Sequence, residues 1–137
     1  MNILITGATG FIGSKFIKSL NSSNLNIKIV SRKKNKDYQT IICDFLNDRI
    51  PTNICNSIDV VFHFAGFAHD LSDQKINQKK YTKVNIEATR SLVESAIRNN
   101  VKKFIFLSSV KASGYNNFEP KNNEESRIKP DSIYGLS

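Results

Sequence analysis

Five short apolar segments are spaced along the chain and predict β-strands. They are Ile3–Ile5, Ile27–Val30, Thr40–Cys43, Val60–Phe64 and Phe104–Leu107. Several of them are apolar at nearly every position and do not alternate with polar residues. This pattern is typical of strands covered on both faces, as in a parallel sheet between two helical layers.

Two segments between these strands have helical periodicity. Ile12, Phe16 and Leu20 recur every four residues and therefore share one helix face. In the longer segment, which Asn99 and Asn100 end, the residues of the shared face and its margins are Tyr81, Val84, Ala88, Leu92, Val93, Ala96 and Ile97. Strand and helix alternate at the spacing of right-handed βαβ crossovers. The predicted fold class is α/β, a doubly wound parallel sheet that stops after about five strands.

The composition changes near the end of the sequence. Residues 113–131 are rich in Asn, Glu, Lys and Pro and predict a surface loop. Ser132–Ser137 then predicts the first turn of a further helix. No internal repeat and no interdomain linker interrupts the pattern, so we expect a single domain.

Composition narrows the class of protein. The chain has 137 residues, of which 39% are hydrophobic and 23% charged, as is usual for one globular domain. No apolar run approaches the roughly 20 residues needed to cross a bilayer, and the first residues lack the basic start of a signal peptide. We therefore expect a cytoplasmic protein with no membrane partner. Cys43 and Cys55 match no metal-ligand spacing, so we predict neither a metal site nor a disulfide.

The net charge of +8 lies partly in short basic clusters within residues 32–36, 79–83 and 98–103. Nucleic-acid binding is one interpretation, because Lys and Arg neutralise phosphates whatever the sequence. That interpretation depends on charge alone, whereas solvated turns and helix ends explain the clusters without any partner. We favour the solvated surface.

The most informative motif is Thr6–Gly13, with the sequence Thr-Gly-Ala-Thr-Gly-Phe-Ile-Gly, between the first predicted strand and the first predicted helix. Gly7 allows a sharp turn off the strand, Gly10 allows the backbone to approach a pyrophosphate, and Gly13 allows the helix to pack closely on the sheet. The N–H groups and positive dipole end of the helix then face the anion. Its position between strand and helix favours dinucleotide binding over a purely structural turn.

This Gly-x-x-Gly-x-x-Gly spacing resembles that of the extended short-chain dehydrogenases, the NAD-dependent epimerase/dehydratase family that modifies nucleotide sugars. Cys43–Phe45 resembles the segment after the family's third strand, whose Asp accepts a hydrogen bond from the adenine amino group. His63–Gly66 resembles the fourth-strand segment, whose small residues let the cofactor lie against the backbone. Val84–Thr89 resembles the stretch Val-Asn-x-x-Gly-Thr, with Ala88 in place of Gly.

The resemblance covers essentially the whole chain. It implies a Rossmann-like NAD(P)-binding domain over residues 1–137, shortened at its C-terminal side and without the substrate-binding region. The cofactor-binding residues that it implies are Gly7, Thr9, Gly10, Phe11, Ile12, Gly13, Ser31, Arg32, Asp44, Phe45, Ala65, Gly66, Asn85 and Ser108.

The choice between NAD and NADP depends on the end of the second strand. NAD-selective sites place an acidic residue there for the ribose 2′-OH, whereas a nearby Arg suits the 2′-phosphate of NADP. Here Ser31 and Arg32 follow the strand, and no acid occurs before Asp37. Arg32 could pair with a phosphate in a bidentate way. Loop charges facing water are an equal alternative, so we lean only weakly to NADP.

The resemblance also implies a catalytic pair. In the family, a Ser or Thr at the end of the fifth strand hydrogen-bonds the reacting oxygen, and Ser109 matches it. A Tyr at the start of the next helix acts as general acid and base, and Tyr134 matches it. A phenol titrates near pH 10, so a Lys four residues later is needed to favour the phenolate. That position would be 138, beyond the sequence.

The resemblance therefore implies an epimerase, dehydratase or 4-ketoreductase that transfers hydride at a carbon of a nucleotide sugar, with a homodimer as a possible state of the intact relative. The segment Ser108–Lys111 resembles bacterial surface-polysaccharide enzymes that act on UDP-N-acetyl sugars. We expect residues 1–137 alone to have little or no activity. The alternative is a non-catalytic NAD(P)-binding or protein-interaction module.

Overall fold

The computed structural model describes residues 1–20, 24–68, 78–114, 130 and 132–137. Most of the predicted loop over residues 113–131 therefore lies outside the described residues. The strands are β1 (Asn2–Thr6), β2 (Asn26–Ser31), β3 (Gln39–Ile42), β4 (Val60–His63) and β5 (Lys103–Phe106). The helices are α1 (Phe11–Ser19), α2 (Ala88–Arg98) and α3 (Ile133–Leu136), with a π-helical segment (Tyr81–Glu87) leading into α2 and a 3₁₀ turn (Val110–Ala112) after β5. Within these residues no helix is long and apolar enough to cross a membrane.

The strands form one parallel sheet in the order β3-β2-β1-β4-β5. The chain moves outward from β1 to β3 and then returns to the other side of β1 to add β4 and β5. The carboxyl ends of β1 and β4 therefore border the point where the strand order reverses, which is where open α/β sheets bind ligands. The predicted doubly wound sheet is confirmed.

The two faces of β1 pack against different helical layers, because alternate strand residues point to opposite faces. Ile3 and Ile5 join the core cluster that contains Ile17 of α1. Leu4 joins the cluster that contains Val61 and Leu92 of α2. All three β1 side chains are almost completely buried, as the unbroken apolar run predicted.

Two predicted helix faces differ from the observed ones. In α1 the buried residues are Gly13 and Ile17, whereas Ile12 is 50% exposed. Gly13 and not Ile12 therefore belongs to the face of α1 that packs closely on the turn. In α2 the stripe continues through Ser95, which is 1% exposed and donates a hydrogen bond to the Thr52 carbonyl at 3.0 Å, whereas Ile97 is 71% exposed. The buried stripe thus widens on the side of Ser95, whose hydroxyl has a backbone partner, and not on the side of Ile97.

The prediction of strands covered on both faces fails at the edges of the described sheet. Ile105 and Phe106 of β5 are 37% and 49% exposed, and Ile42 of β3 is 62% exposed. Each of these strands pairs with one neighbour among the described residues. An apolar run therefore predicted the strand correctly but not its position in the sheet.

The imidazole of His63, at the end of β4, is completely buried between two threonines. Its Nδ1 lies 2.6 Å from Oγ1 of Thr6 and its Nε2 lies 2.8 Å from Oγ1 of Thr89. Thr6 Oγ1 also accepts a hydrogen bond from the Ala65 N–H at 3.1 Å. A neutral imidazole has one donor and one acceptor, so the two hydroxyls satisfy it. The site links β1, β4 and α2.

Burial lowers the pKa of His63 to about 4 because desolvation penalises the charged imidazolium. An unfolded histidine titrates near 6.5, so the folded state must bind the proton less tightly than the unfolded state. The stabilising contribution is fully present above about pH 6.5 and is lost as the pH falls towards 4, by about 3 kcal/mol in total.

We expect the free energy of unfolding to fall between pH 6.5 and 4.5, before most carboxyl groups titrate. Urea unfolding at a series of pH values measures it. The variant His63→Asn, which removes the buried imidazole, should abolish this slope. A flat stability profile for the unsubstituted chain over this range would contradict the assignment.

Candidate functional site

The turn after β1 is held against the backbone of the segment after β4. Gly7 has φ +68°, in the left-handed region that favours glycine. A Cβ at this position would lie 2.6 Å from both the Phe64 carbonyl carbon and the Ala65 nitrogen. Both backbone geometry and space therefore require glycine here.

The other two glycines of the motif differ from each other. A Cβ on Gly13 would lie 2.8 Å from the Ala8 Cα, so α1 could not pack as closely on the turn. A Cβ on Gly10 would meet only the Gly7 carbonyl oxygen among the described atoms, at 3.2 Å. The backbone of Gly10 is extended, with φ −76° and ψ 176°. Gly13 is thus required by internal packing. Gly10, by contrast, borders space that the described residues do not fill.

The N-terminus of α1 opens into this space. Ser14 is the helix residue whose N–H bonds back to the Gly10 carbonyl, at 2.9 Å. By helix geometry the preceding N–H groups, on residues 11–13, point out of the helix end. Donors and the positive end of the helix dipole therefore face the same side as Gly10, which is the arrangement that binds phosphate groups.

A first cavity of about 510 Å³ lies beside the turn, at the carboxyl ends of β1 to β4. Nine residues predicted to bind the cofactor line it, namely Gly7, Thr9, Gly10, Ser31, Arg32, Asp44, Phe45, Ala65 and Gly66. Val30, Cys43, Leu46, Phe64, Phe67, Lys80 and Val84 complete the lining. The parallel topology brings together the segments at the carboxyl ends of β1 to β4, and the helical residues Lys80 and Val84 complete this side of the lining.

Asp44 is fixed by its own loop at one end of this cavity. Its Oδ1 accepts from the Leu46 N–H at 3.1 Å, and its Oδ2 accepts from Nδ2 of Asn47 at 2.8 Å. Its N–H donates to Asp48 at 2.7 Å. A carboxylate oxygen accepts more than one hydrogen bond, so Asp44 retains capacity for a further donor such as an amino group.

Ser31 and Arg32 border the cavity at the end of β2. Ser31 Oγ accepts weakly from the Lys33 N–H at 3.4 Å, while Arg32 is exposed. The lining of the cavity contains Arg32 where an acidic residue would favour a ribose 2′-OH. The geometry leaves the guanidinium at the rim, in reach of an anion.

A second cavity of about 440 Å³ adjoins the first and shares the walls Phe64, Ala65 and Gly66. It brings together the predicted residues Ile12, Asn85, Ser108, Ser109 and Tyr134. The segment after β4 separates the two cavities, and the Thr6–Gly13 motif borders both of them, with Gly7 and Gly10 at the first and Ile12 at the second. An elongated ligand with two halves and a central anion would fit this shape.

The predicted catalytic pair meets in the second cavity because α3 packs closely on the 3₁₀ turn after β5. A Cβ on Gly135 would lie 3.1 Å from the carbonyl carbon of Lys111, so only glycine allows this approach. Ser132 caps α3 by accepting from the Gly135 N–H at 3.1 Å. The structure thus brings Tyr134 and Ser109 to one cavity although 25 residues separate them.

Asn85 lies in the second cavity, but the described contacts use its amide to hold the chain together. Its Oδ1 accepts from the Phe67 N–H at 2.7 Å, and its Nδ2 donates to the Phe67 carbonyl at 3.0 Å. The same Nδ2 lies 2.9 Å from Oγ of Ser137. The ring of Tyr81 contacts both Phe67 and Tyr134, with ring centroids 5.0 and 5.8 Å apart.

Two residues that were predicted to bind the cofactor line neither cavity. Four residues that were not predicted as site residues line the first cavity or contact its lining. Phe11 is 83% exposed at the start of α1, and Gly13 lies beneath the turn. The residues that sequence reasoning missed are Phe67, Lys80, Tyr81 and Val84. A signal existed for one pair, because Lys80 and Val84 are spaced as neighbours on one helix face.

The residues present fit a dinucleotide. A backbone cradle that a Cβ on Gly10 would partly fill lies between two cavities, with hydrogen-bond groups at both ends. The described residues that would hold it include the glycine turn, Asp44 and the small residues after β4.

Known proteins are similar to this chain over nearly its whole length. A UDP-glucose 4-epimerase of Vibrio cholerae is 33% identical over 99% of this chain and 43% of its own length. A human dTDP-D-glucose 4,6-dehydratase is 31% identical over 98% of this chain and 43% of its own length. The chain thus spans less than half the length of these relatives.

Among solved structures, a UDP-glucuronic acid 4-epimerase from Bacillus cereus, in complex with UDP-glucuronic acid and NAD, superposes with a TM-score of 0.85. It is 27% identical and is matched over 99% of this chain and 48% of its own chain. The sequence model of the NAD dependent epimerase/dehydratase family matches residues 3–137. With the parallel sheet, the glycine turn and the paired cavities, this match shows that the chain belongs to the NAD-dependent epimerase/dehydratase family.

Proposed function

We propose that residues 1–137 bind NAD or NADP and form the cofactor-binding part of a nucleotide-sugar epimerase, dehydratase or 4-ketoreductase. The observation that carries the proposal is the glycine turn, which opens the N-terminus of α1 between two adjoining cavities. Similar proteins with this fold act on nucleotide sugars, and a similar solved structure contains NAD. A nucleotide sugar is therefore the substrate class that we propose for the intact relative.

Each group of residues has a role in this function. The N–H groups of α1 bind the pyrophosphate, Asp44 accepts from the adenine amino group, and the backbone of Ala65 and Gly66 lies along the cofactor. The bound nicotinamide supplies a hydride acceptor or donor. Ser109 hydrogen-bonds the reacting oxygen of the substrate, and the Tyr134 phenol moves a proton to or from it.

The proposal extends to a preference for NADP. It depends on Ser31 and Arg32 at the rim of the first cavity and not on the similar structures, which contain NAD. A guanidinium pairs with a phosphate through two parallel hydrogen bonds, which a ribose hydroxyl does not offer. A cytoplasmic location and a homodimer of the intact relative stay predictions from the sequence.

The first test distinguishes an effect on cofactor binding at Gly10 from an effect on the stability of the fold. We expect Gly10→Ala to weaken NADPH and NADH binding by at least about tenfold, because its Cβ occupies space meant for the pyrophosphate. The extended backbone of Gly10 admits alanine, so the melting temperature should change little. Nicotinamide fluorescence measures binding and circular dichroism measures melting. Gly13→Ala is the matched control and should lower the melting temperature, since its Cβ meets the Ala8 backbone.

The second test concerns the 2′-phosphate. Arg32→Asp should weaken NADPH by at least about tenfold relative to NADH, because a charge-assisted pair is replaced by like-charge repulsion. Lys33→Asp makes the same charge change at an exposed neighbour that lines neither cavity, and it should affect both cofactors little. An equal effect of Arg32→Asp on both cofactors would remove the preference for NADP.

The third test concerns turnover. Residues 1–137 should bind the cofactor but convert UDP-sugars weakly or not at all, because a general-base tyrosine needs a nearby cation to lower its pKa and the family's lysine would be residue 138. Incubation with UDP-glucose and UDP-N-acetylglucosamine, followed by separation of the nucleotide sugars, measures turnover. Clear turnover by these residues alone would contradict this part of the proposal.

A further inference from the structure

Lys80 lines the first cavity although sequence reasoning placed it among solvated charges. It lies in the helical residues 78–80, directly before the π-helical segment, and its backbone is helical, with φ −65° and ψ −44°. Val84, one turn later, lines the same cavity. The side chain of Lys80 therefore lies on the cavity face of this helix and is partly buried.

The Lys80 side chain packs over the ring of Phe67. The Lys80 ammonium lies 5.1 Å from the centroid of the Phe67 ring, in the range of a cation–π contact. The backbone of Phe67 is fixed by two hydrogen bonds with the Asn85 amide, which accepts one and donates the other, and its ring packs edge-on against Tyr81. An ammonium that is already held in place loses less entropy when it binds an anion.

The location of the anion follows from the strand order. The Thr6–Gly13 segment contains no cationic residue, so the turn contributes only N–H groups and the helix dipole. The cationic residues that line the first cavity are Arg32, after β2, and Lys80, beside the segment after β4. Because β1 lies between β2 and β4, the glycine turn lies between these two cations. Gly7 contacts the backbone at Phe64 and Ala65, which places the cradle next to the Phe67–Lys80 side.

We infer that Lys80 pairs with the pyrophosphate of the bound dinucleotide, from the side opposite to the N-terminus of α1. The inference rests on the proposed cofactor binding and assigns Lys80 a separate role from Arg32. Arg32 interacts with the adenosine ribose side, whereas Lys80 interacts with the group that NAD and NADP have in common.

The experiment compares Lys80→Met, which keeps most of the apolar stem, with Lys80→Arg, which keeps the charge. Lys79→Met is the matched control, because Lys79 is an exposed neighbour that lines neither cavity. Binding of NADH and NADPH is measured by nicotinamide fluorescence, binding of ADP-ribose by calorimetry and binding of adenosine by NMR titration. Thermal melting checks that each variant is folded.

Lys80→Met should weaken NADH, NADPH and ADP-ribose equally, by at least about tenfold, and should leave adenosine unchanged. Lys80→Arg should retain the affinity, and Lys79→Met should behave like the unsubstituted chain. The loss should shrink at high salt, as expected for a partly exposed ion pair.

Three results would overturn the inference. Unchanged binding by folded Lys80→Met would remove Lys80 from the site while leaving the proposed function intact. A loss confined to NADPH would assign Lys80 to the 2′-phosphate. Absence of cofactor binding by the unsubstituted chain would overturn the proposed function together with this inference.

Discussion

The backbone contact between the turn at Gly7 and the segment after β4 determines how the remaining parts of the site are arranged. A side chain at Gly7 would overlap the backbone at Phe64 and Ala65. The turn after β1 and the segment after β4 can therefore pack this closely only with glycine at position 7. Directly beneath, Thr6 receives a hydrogen bond from the Ala65 N–H and contacts His63. The same close contact directs the N-terminus of α1 towards the point where the strand order reverses. Binding geometry and core packing are therefore consequences of one constraint.

Most of the fold was predictable because its signals are local. Short, mostly apolar segments predicted all five strands, and the glycine spacing predicted the strand–turn–helix unit of Thr6–Gly13. What the sequence does not show depends on distant partners. Thr6 and His63 are 57 residues apart and meet only because β1 and β4 are neighbours. The buried stripe of α2 includes Ser95, whose hydroxyl donates to the Thr52 carbonyl, and not Ile97, and periodicity does not reveal that partner.

The candidate site was predictable to a different extent at its two ends. Glycines, Asp44 and the pair Ser109 and Tyr134 belong to recognisable segments, and the structure brings most of them to two adjoining cavities. Lys80 belongs to no such segment, and in the sequence it resembles a surface charge. The structure shows it at the first cavity, with its ammonium over the Phe67 ring. Family membership follows from the whole chain, whereas the charge around the first cavity depends on individual residues. Two proteins of one family can therefore share the cradle and differ in the cations around it.

Phe67 and Asn85 connect the two cavities of the site. Asn85 uses one amide to hold the backbone of Phe67 and to contact Ser137, next to α3. Phe67 supports the Lys80 ammonium on one side and packs against Tyr81 on the other, and Tyr81 in turn contacts Tyr134. Among the described residues, these side chains thus form a continuous set of packed and hydrogen-bonded groups that extends from the first cavity to the second. The Lys80 ammonium, for which we propose a pyrophosphate contact, and the Tyr134 ring are thus connected through the same side chains, so a change at Phe67 would disturb both.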